Sequence, residues 1–316
     1  MTFCPNAPFA GLVFVARFVF IPAMRVLIVG CGYVGLPLGA ELARRGHEVF
    51  GVRRSLTAAH ELTEHGITPV QADITQPDAL ANFPGPIDWV VNTVSSTKGG
   101  VEDYRAVYLE GTRHLIAWAQ RQRVKKFLYT SSTSVYAQTD GSDVTEESAT
   151  EPKSPTSQLL VETEQLLLAA AREQQFPALI LRVAGIYGPE RGHLFHQYLR
   201  GEARLAGDGS RLINMIHRDD VVAGILAALE HGRTGTTYNV ADDEPVTQRE
   251  FFLWLSEQLG RPMPPPASEA EMAGRKRGLT QKRVLNQRLR TELKCELKFP
   301  TYRQGYMAEM VRLHLK

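Results

Sequence analysis

The sequence predicts an α/β fold: a doubly wound parallel sheet with a smaller carboxyl-terminal substrate lobe. Three observations carry that expectation. From Arg25 onward, short β-branched runs alternate with longer stretches of helical periodicity, the pattern of a parallel sheet covered by helices on both faces. A glycine-rich turn, Gly30-Cys-Gly32-Tyr-Val-Gly35, stands between the first such run and the first helical stretch. After Gly185 the regularity weakens, as for a lobe interleaved with the main sheet. At roughly 150 residues per domain, the 316 residues make one large domain or two ordinary ones.

Taken in order, residues 1–23 carry one apolar run, Gly11 to Ile21, interrupted by Arg17. It falls short of the roughly 20 residues of a spanning helix, and no basic residue precedes it as a signal peptide requires. With Met24 standing directly before the first strand, these residues read as an upstream start rather than structure, a docked extension being the alternative. A dinucleotide-binding domain is expected over 24–184, with strands at 26–29, 48–52, 68–71, 89–94, 126–130 and 178–182 and helices at 34–45, 56–64, 101–121 and 158–173. Right-handed crossovers join such strands. The smaller lobe, 185–316, is expected to hold helices at 194–200, 220–231 and 248–259 and strands at 212–216 and 237–240. The stretch 212–241 returns to the main domain. Arg261-Pro-Met-Pro-Pro-Pro266 cannot be helical, and a last helix is expected around 287–293.

With 43% apolar and 22% charged residues the chain has the composition of an average globular protein, which excludes disordered and collagen-like classes. A net charge of +2 gives no field that argues for nucleic acid or a membrane surface. The expected partner is a small molecule; a homodimer is left open. Cys4, Cys31 and Cys295 are far apart and form no pair, which fits a reducing, cytoplasmic setting.

A lone G-x-G-x-x-G is a weak signal, but here it has a strand before it, a helix after it, and a second strand ending about 20 residues on. In this Rossmann arrangement Gly30 allows the tight turn, Gly32 lets the backbone approach a pyrophosphate, and Gly35 lets helix and strand pack closely. The N–H groups around Tyr33 and Val34 then face phosphates at the positive helix end. An NAD-selective site places an acid at the end of the second strand; this chain has Arg53-Arg54, suited to a 2′-phosphate, so NADP(H) is favoured over NAD(H). Asp73, beside Ile74, is positioned to accept from an adenine amino group or simply to cap a turn before Pro77. Thr93 and Val94, ending the fourth strand, complete the expected cofactor-binding set. Cys31 in the loop reads as a small residue that fits there rather than as a redox sensor.

The glycine motif, Asp73-Ile74, Glu110-Gly-Thr112, the run from Lys126 through Ser132 to Tyr136, Leu181-Arg-Val-Ala-Gly-Ile-Tyr-Gly-Pro189 and Ile216-His-Arg-Asp-Asp220 together resemble the extended short-chain dehydrogenase/reductase superfamily, its NAD-dependent epimerase/dehydratase group. The resemblance runs from Met24 to the carboxyl end. It implies that Ser132 is the active-site serine, that the loop after Arg182 flanks the nicotinamide, and that the second lobe holds a nucleotide-sugar or similar substrate. The departure is at the catalytic pair. Where the family has Tyr-x-x-x-Lys after a Ser-Pro turn, Ser154-Pro155 is followed by Thr156 and Leu160. An aliphatic hydroxyl does not ionise usefully near neutral pH, and leucine offers neither charge nor donor, so the usual proton relay is absent. Both positions are expected to face the cofactor cleft.

Among substitutes, Tyr187 beside the nicotinamide loop is the outside candidate for a proton donor, and Ser132 either polarises a carbonyl or satisfies backbone groups. Tyr136 reads as a packing residue and His217 as a structural histidine. His193 and His196 lack the further ligands of a metal site. Arg191 and Arg218 either meet a diphosphate or are surface charge. Arg275-Lys-Arg277 with Lys282, Arg283, Arg288 and Arg290 reads as a solvated segment rather than a nucleic-acid patch. Two functions follow: an NADP-dependent oxidoreductase or epimerase/dehydratase-like enzyme acting on a small carbonyl or nucleotide-sugar-like substrate through a substitute acid, or a non-catalytic NADP(H)-binding sensor.

Overall fold

The computed structural model describes residues 23–55, 57, 59–273 and 280–316. The upstream-start expectation for residues 1–22 and the basic run 275–277 lie outside the described residues. Seven parallel strands form one sheet in the order Thr237–Val240, Ala178–Val183, Lys126–Ser132, Trp89–Asn92, Arg25–Val29, Glu48–Arg53 and Ile67–Gln71. The strands read as near-continuous apolar runs because helices bury both faces. Along Arg25–Val29, Val26 and Ile28 enter one core layer while Leu27 and Val29 enter the other. Order turns on the Arg25–Val29 strand: the chain goes outward through the next two strands, then returns to its other side. That switch point is where a doubly wound sheet opens a crevice at its carboxyl edge.

The second lobe has its own aromatic core, built on Tyr187, Phe195, Phe251, Phe252, Tyr302 and Tyr306. Its chain also supplies the Thr237–Val240 edge strand of the main sheet. No helix among the described residues is long and apolar enough to cross a membrane.

Several elements differ from expectation. The strand expected at 89–94 ends at Asn92, whose side-chain carbonyl accepts the Val94 N–H at 3.3 Å and turns the chain toward the glycine loop. The helix expected over 101–121 is interrupted: α-helix Val101–Tyr104 passes into a π-helical segment Arg105–Glu110 and then α-helix Gly111–Gln122. The strand expected at 212–216 breaks at Asn214, whose amide donates to the Lys282 carbonyl and accepts the Val284 N–H. Leu212–Ile213 then pairs with Val246–Thr247, and Met215–His217 with Gly185–Tyr187. The helix around 287–293 is the five-residue Gln287–Thr291, and the last helix is Tyr302–Arg312, opened by a capping box between Thr301 and Gln304. Gly305 in its first turns is required, because a Cβ there would stand 2.0 Å from the Tyr187 hydroxyl.

A buried ion pair ties the main layers together. Arg182 Nη2 lies 2.7 Å from Glu164 Oε2, both side chains 7% exposed or less. Arg182 Nη1 donates to the Tyr136 hydroxyl, which donates to Asn239 on the edge strand. Removing one partner leaves the other charge buried and unpaired. Glu164→Ala is expected to cost about 3–5 kcal/mol of unfolding free energy in urea titration; a loss under about 1 kcal/mol would show that the pair is dispensable.

Asp242 is buried, and its second carboxylate oxygen has no partner among the described residues. Burial first, then the nearby charges of Glu244, Asp243 and Asp220, push its carboxyl up to about 8 from an ordinary 3.8. The folded protein therefore keeps a proton that the unfolded chain releases, so stability present at pH 4 is lost progressively as pH rises toward about 8. Asp242→Asn should flatten that decline, matching the wild type at pH 4 and exceeding its melting temperature at pH 8; parallel declines in both proteins would contradict the assignment.

Candidate active site

The crevice at the switch point is a cleft of about 460 Å³ running from the glycine turn along the strand ends. Gly30 has φ +86°, and a Cβ on it would meet Val94 backbone at 2.8 Å. Gly35 is similarly confined, with Gly30 O at 2.8 Å and Ile28 Cγ2 at 3.0 Å from the place of a Cβ. Gly32 is different: a Cβ there would find no protein atom nearer than 3.9 Å, and the open space belongs to the cleft. Thr93 ties the turn down, its hydroxyl donating to Gly30 O at 3.0 Å. Tyr33, Val34, Thr93 and Val94 all line the cleft. This donor set and the space over Gly32 fit a pyrophosphate approaching the helix N-terminus.

At one end of the cleft stand Arg53 and Arg54. Arg53 Nε donates to Cys31 O at 2.5 Å and its Nη1 pairs with Glu61 at 2.9 Å, so this guanidinium is already oriented beneath the glycine turn. Arg54 is exposed and donates to the Thr97 hydroxyl at 3.0 Å. Asp73 and Ile74 border the same end, and Asp73 Oδ1 caps its own turn by accepting from the N–H and hydroxyl of Thr75. Cys31 is buried, and burial pushes its thiol up to about 12, which leaves it unreactive.

At the other end stand Ser131, Ser132, Ser134, Val183 and Ile186. The Ser132 hydroxyl accepts the Ser134 N–H at 3.2 Å, capping a short 3-10 turn and keeping its own proton available to the cleft. Ser131 instead donates to Glu164 at 2.5 Å and locks the strand end to the long helix Pro155–Gln174. Thr156 does not border the cleft; its hydroxyl pairs with that of Ser154 at 2.8 Å. Leu160 borders the cleft, yet it is 4% exposed and belongs to the apolar core. The expectation of two cleft-facing positions is therefore corrected for Thr156, while Leu160 faces cleft and core at once.

Tyr187 is also placed elsewhere than the sequence suggests. It is 1% exposed, stacked on Tyr306 at 4.3 Å between ring centroids, and edge-on to His217. Its hydroxyl has no hydrogen-bond partner among the described residues, and burial holds its proton on far more firmly than in water. The residue is part of the second lobe's aromatic core and does not reach the cleft. Its neighbour Ile186 does. Tyr136 is wholly buried within the Arg182 network. His217 accepts the Asp219 N–H through Nδ1 and so caps a helix, and burial lowers its pKa, keeping the ring neutral.

Arg191 lies 4.2 Å over the Tyr33 ring at the cleft wall, while Arg218 is 2.9 Å from Asp219. Lys282, expected in solvent, is buried; its ammonium donates to Tyr136 O at 3.0 Å and to the Thr280 hydroxyl at 2.9 Å, and burial draws its pKa down to about 8. Arg283 and Arg288 pair with Asp143 and Glu147 instead of presenting a free basic face. Among the described residues no group of three or more His, Cys, Asp or Glu side chains is arranged to hold a metal ion. Sequence reasoning missed Tyr104 and Tyr108, which line the cleft from the helix after the fourth strand. Their signal was the spacing four apart, which puts both on one face of a helix.

The chain is 27% identical over 289 residues to Protein YeeZ of Escherichia coli K12, covering 87% of this chain and 96% of that one. It is 31% identical over 269 residues to a 3-beta-hydroxysteroid dehydrogenase of Mycolicibacterium neoaurum, covering 76% and 71%. Among solved structures it superposes on DesIV, a dTDP-glucose 4,6-dehydratase of Streptomyces venezuelae with NAD and TYD bound, with a TM-score of 0.77 at 23% identity over 92% and 97% of the two chains. The profile of the NAD dependent epimerase/dehydratase family matches residues 26–241, from the first sheet strand to just past the last, and the chain belongs to that family.

Proposed function

We propose that this protein is an NADP(H)-dependent oxidoreductase acting on a small carbonyl substrate. The observation that carries the cofactor half of the reading is the pair Arg53 and Arg54 at the end of the second strand, both bordering the cleft where an NAD-selective site would present a carboxylate. Two guanidinium groups offer bidentate, charge-assisted hydrogen bonds to a phosphate on the ribose. When bound, the dinucleotide supplies a hydride.

The protein's own residues do the rest. The glycine turn and the N–H groups of Tyr33 and Val34 hold the pyrophosphate, with Asp73 beside the adenosine end. Ser132, its oxygen engaged by Ser134, donates its hydroxyl proton in a hydrogen bond that polarises the substrate carbonyl. Leu160, Val183, Ile186 and Val221 make the neighbouring wall apolar and limit water there. A ketone or secondary alcohol is the substrate class this wall suits, in keeping with the steroid dehydrogenase relative. The likeness to DesIV points to the nucleotide-sugar alternative, but at 23% identity it carries the fold alone. We infer a cytoplasmic setting from the cysteine usage, and a dinucleotide-binding unit over 24–184 with the substrate lobe over 185–316.

The loss of the Tyr/Lys pair favours a second reading, a non-catalytic NADP(H)-binding sensor. Carbonyl-dependent oxidation of NADPH at 340 nm separates the two, since a sensor would bind and not turn over. For the cofactor, titration calorimetry should show NADPH binding at least about tenfold more tightly than NADH, about 1.4 kcal/mol. The preference should vanish in Arg53→Ala/Arg54→Ala; equal affinities in the wild type would overturn the assignment.

A further inference from the structure

The reductase reading leaves one step without a residue: the carbonyl oxygen that accepts negative charge needs a proton, and neither Thr156 nor Leu160 supplies it. The cleft lining narrows the choice. Among the described residues it holds no histidine, lysine or glutamate. Arginines do not release their protons. Asp73 lies at the Arg53–Arg54 end, where its carboxylate accepts from the Thr75 N–H and hydroxyl. Cys31 is enclosed under the glycine turn. Three phenols remain: Tyr33, Tyr104 and Tyr108.

Tyr33 has a buried hydroxyl, turned away beneath Arg191 and close to Gly188 and His217. Tyr108 already has its oxygen engaged by the Ser96 N–H at 3.1 Å. The Ser96 loop is itself fixed by Asp103, which accepts from the Ser96 hydroxyl and the Lys98 N–H. Tyr104 is only partly buried, and no described residue hydrogen-bonds its hydroxyl. Its ring leans on Tyr108 at 4.8 Å and 52°, so the fixed phenol braces the free one. Both come from the junction of Val101–Tyr104 with the π-helical segment Arg105–Glu110, which packs against Pro155–Gln174, the helix that carries Thr156 and Leu160. A π-helical turn is uncommon and often marks a functional site. Here it brings two tyrosines to the same flank of the cleft as Leu160.

We propose that Tyr104 is the proton donor of the reaction, with Tyr108 as the positioning residue behind it. This rests on the reductase reading. Hydride passes from NADPH to the carbonyl carbon and the carbonyl π electrons move to oxygen. The Tyr104 O–H bond breaks as its proton joins that oxygen, and the phenolate recovers a proton from water at its exposed edge. The sum is NADPH, a ketone and one proton giving NADP⁺ and an alcohol.

The test compares kcat, KM and NADPH affinity in the full-length wild type, Tyr104→Phe, Tyr108→Phe and Thr156→Ala, using a panel of ketones and aldehydes. Tyr104→Phe should lose about a hundredfold in kcat, the scale of a lost general acid, with KM and the NADPH Kd within about twofold of wild type. Tyr108→Phe should lose less than about tenfold, and Thr156→Ala should change nothing. An unimpaired Tyr104→Phe beside an active wild type, or a hundredfold loss in Tyr108→Phe or Thr156→Ala instead, overturns the assignment alone. A wild type that binds NADPH and consumes it with none of the carbonyls overturns the reductase reading and this assignment with it.

Discussion

The placement of the Ser132 end of the cleft depends on the Arg182–Glu164 pair. An ion pair out of water is stable only when its geometry is good and its remaining hydrogen-bonding capacity is satisfied. Here Glu164 accepts from Ser131 and from two guanidinium nitrogens, while Arg182 also donates to Tyr136 and to the Glu146 carbonyl at 3.3 Å. Each of those partners belongs to a different element. The end of the Lys126–Ser132 strand, the long helix and the loop after Tyr136 are therefore referenced to one buried charge, and Ser132 inherits its position from the neighbour that is locked.

The second lobe is attached by the same kind of device rather than by apolar contact alone. Asp220, wholly buried on the helix Arg218–His231 that packs into the core of the main sheet, accepts the Lys298 and Phe299 N–H groups at 2.6 and 3.0 Å. Lys282 donates to Tyr136 O at 3.0 Å. Asn239 links the edge strand to both, donating to Leu285 O while accepting from Tyr136. A lobe so fixed presents Ile186 and Arg191 to the cleft at a set distance from the glycine turn, which a loose hinge would not do.

The sheet and the dinucleotide half of the site were legible because they rest on local rules. Buried parallel strands need β-branched runs, and the crowded turn needs glycine at Gly30 and Gly35, where a Cβ would meet protein atoms at 2.8 Å. What escaped depended on contacts made far along the chain. Lys282 reads as one of a basic cluster until Tyr136 is known to lie beside it, 146 residues earlier. The resemblance sets Tyr187 in a motif expected to flank the nicotinamide, but alternation along the short strand Gly185–Tyr187 sends Ile186 to the cleft and Tyr187 to the core. The Tyr302–Arg312 helix buries Tyr302, Tyr306 and Met310 at helical spacing, and Gly305 within it masked that period. The π-helical segment has no signature in composition, and it packs against the helix Pro155–Gln174, which lies some fifty residues further along the chain.

That Leu160, and no amine among the described residues, lines this part of the cleft has a consequence for what the cleft tolerates. An amine beside a reactive carbonyl is also a trap, since it condenses with aldehydes and adds to conjugated ketones. Among the described residues the lining offers no amine and no imidazole, and its one thiol, Cys31, is fully enclosed and held protonated. Guanidinium groups and neutral hydroxyls are poor nucleophiles at physiological pH. An aldehyde or conjugated ketone entering here meets no amine to condense with and no exposed thiol to add, so the cleft lacks the two traps that a lysine-bearing one would set for such molecules.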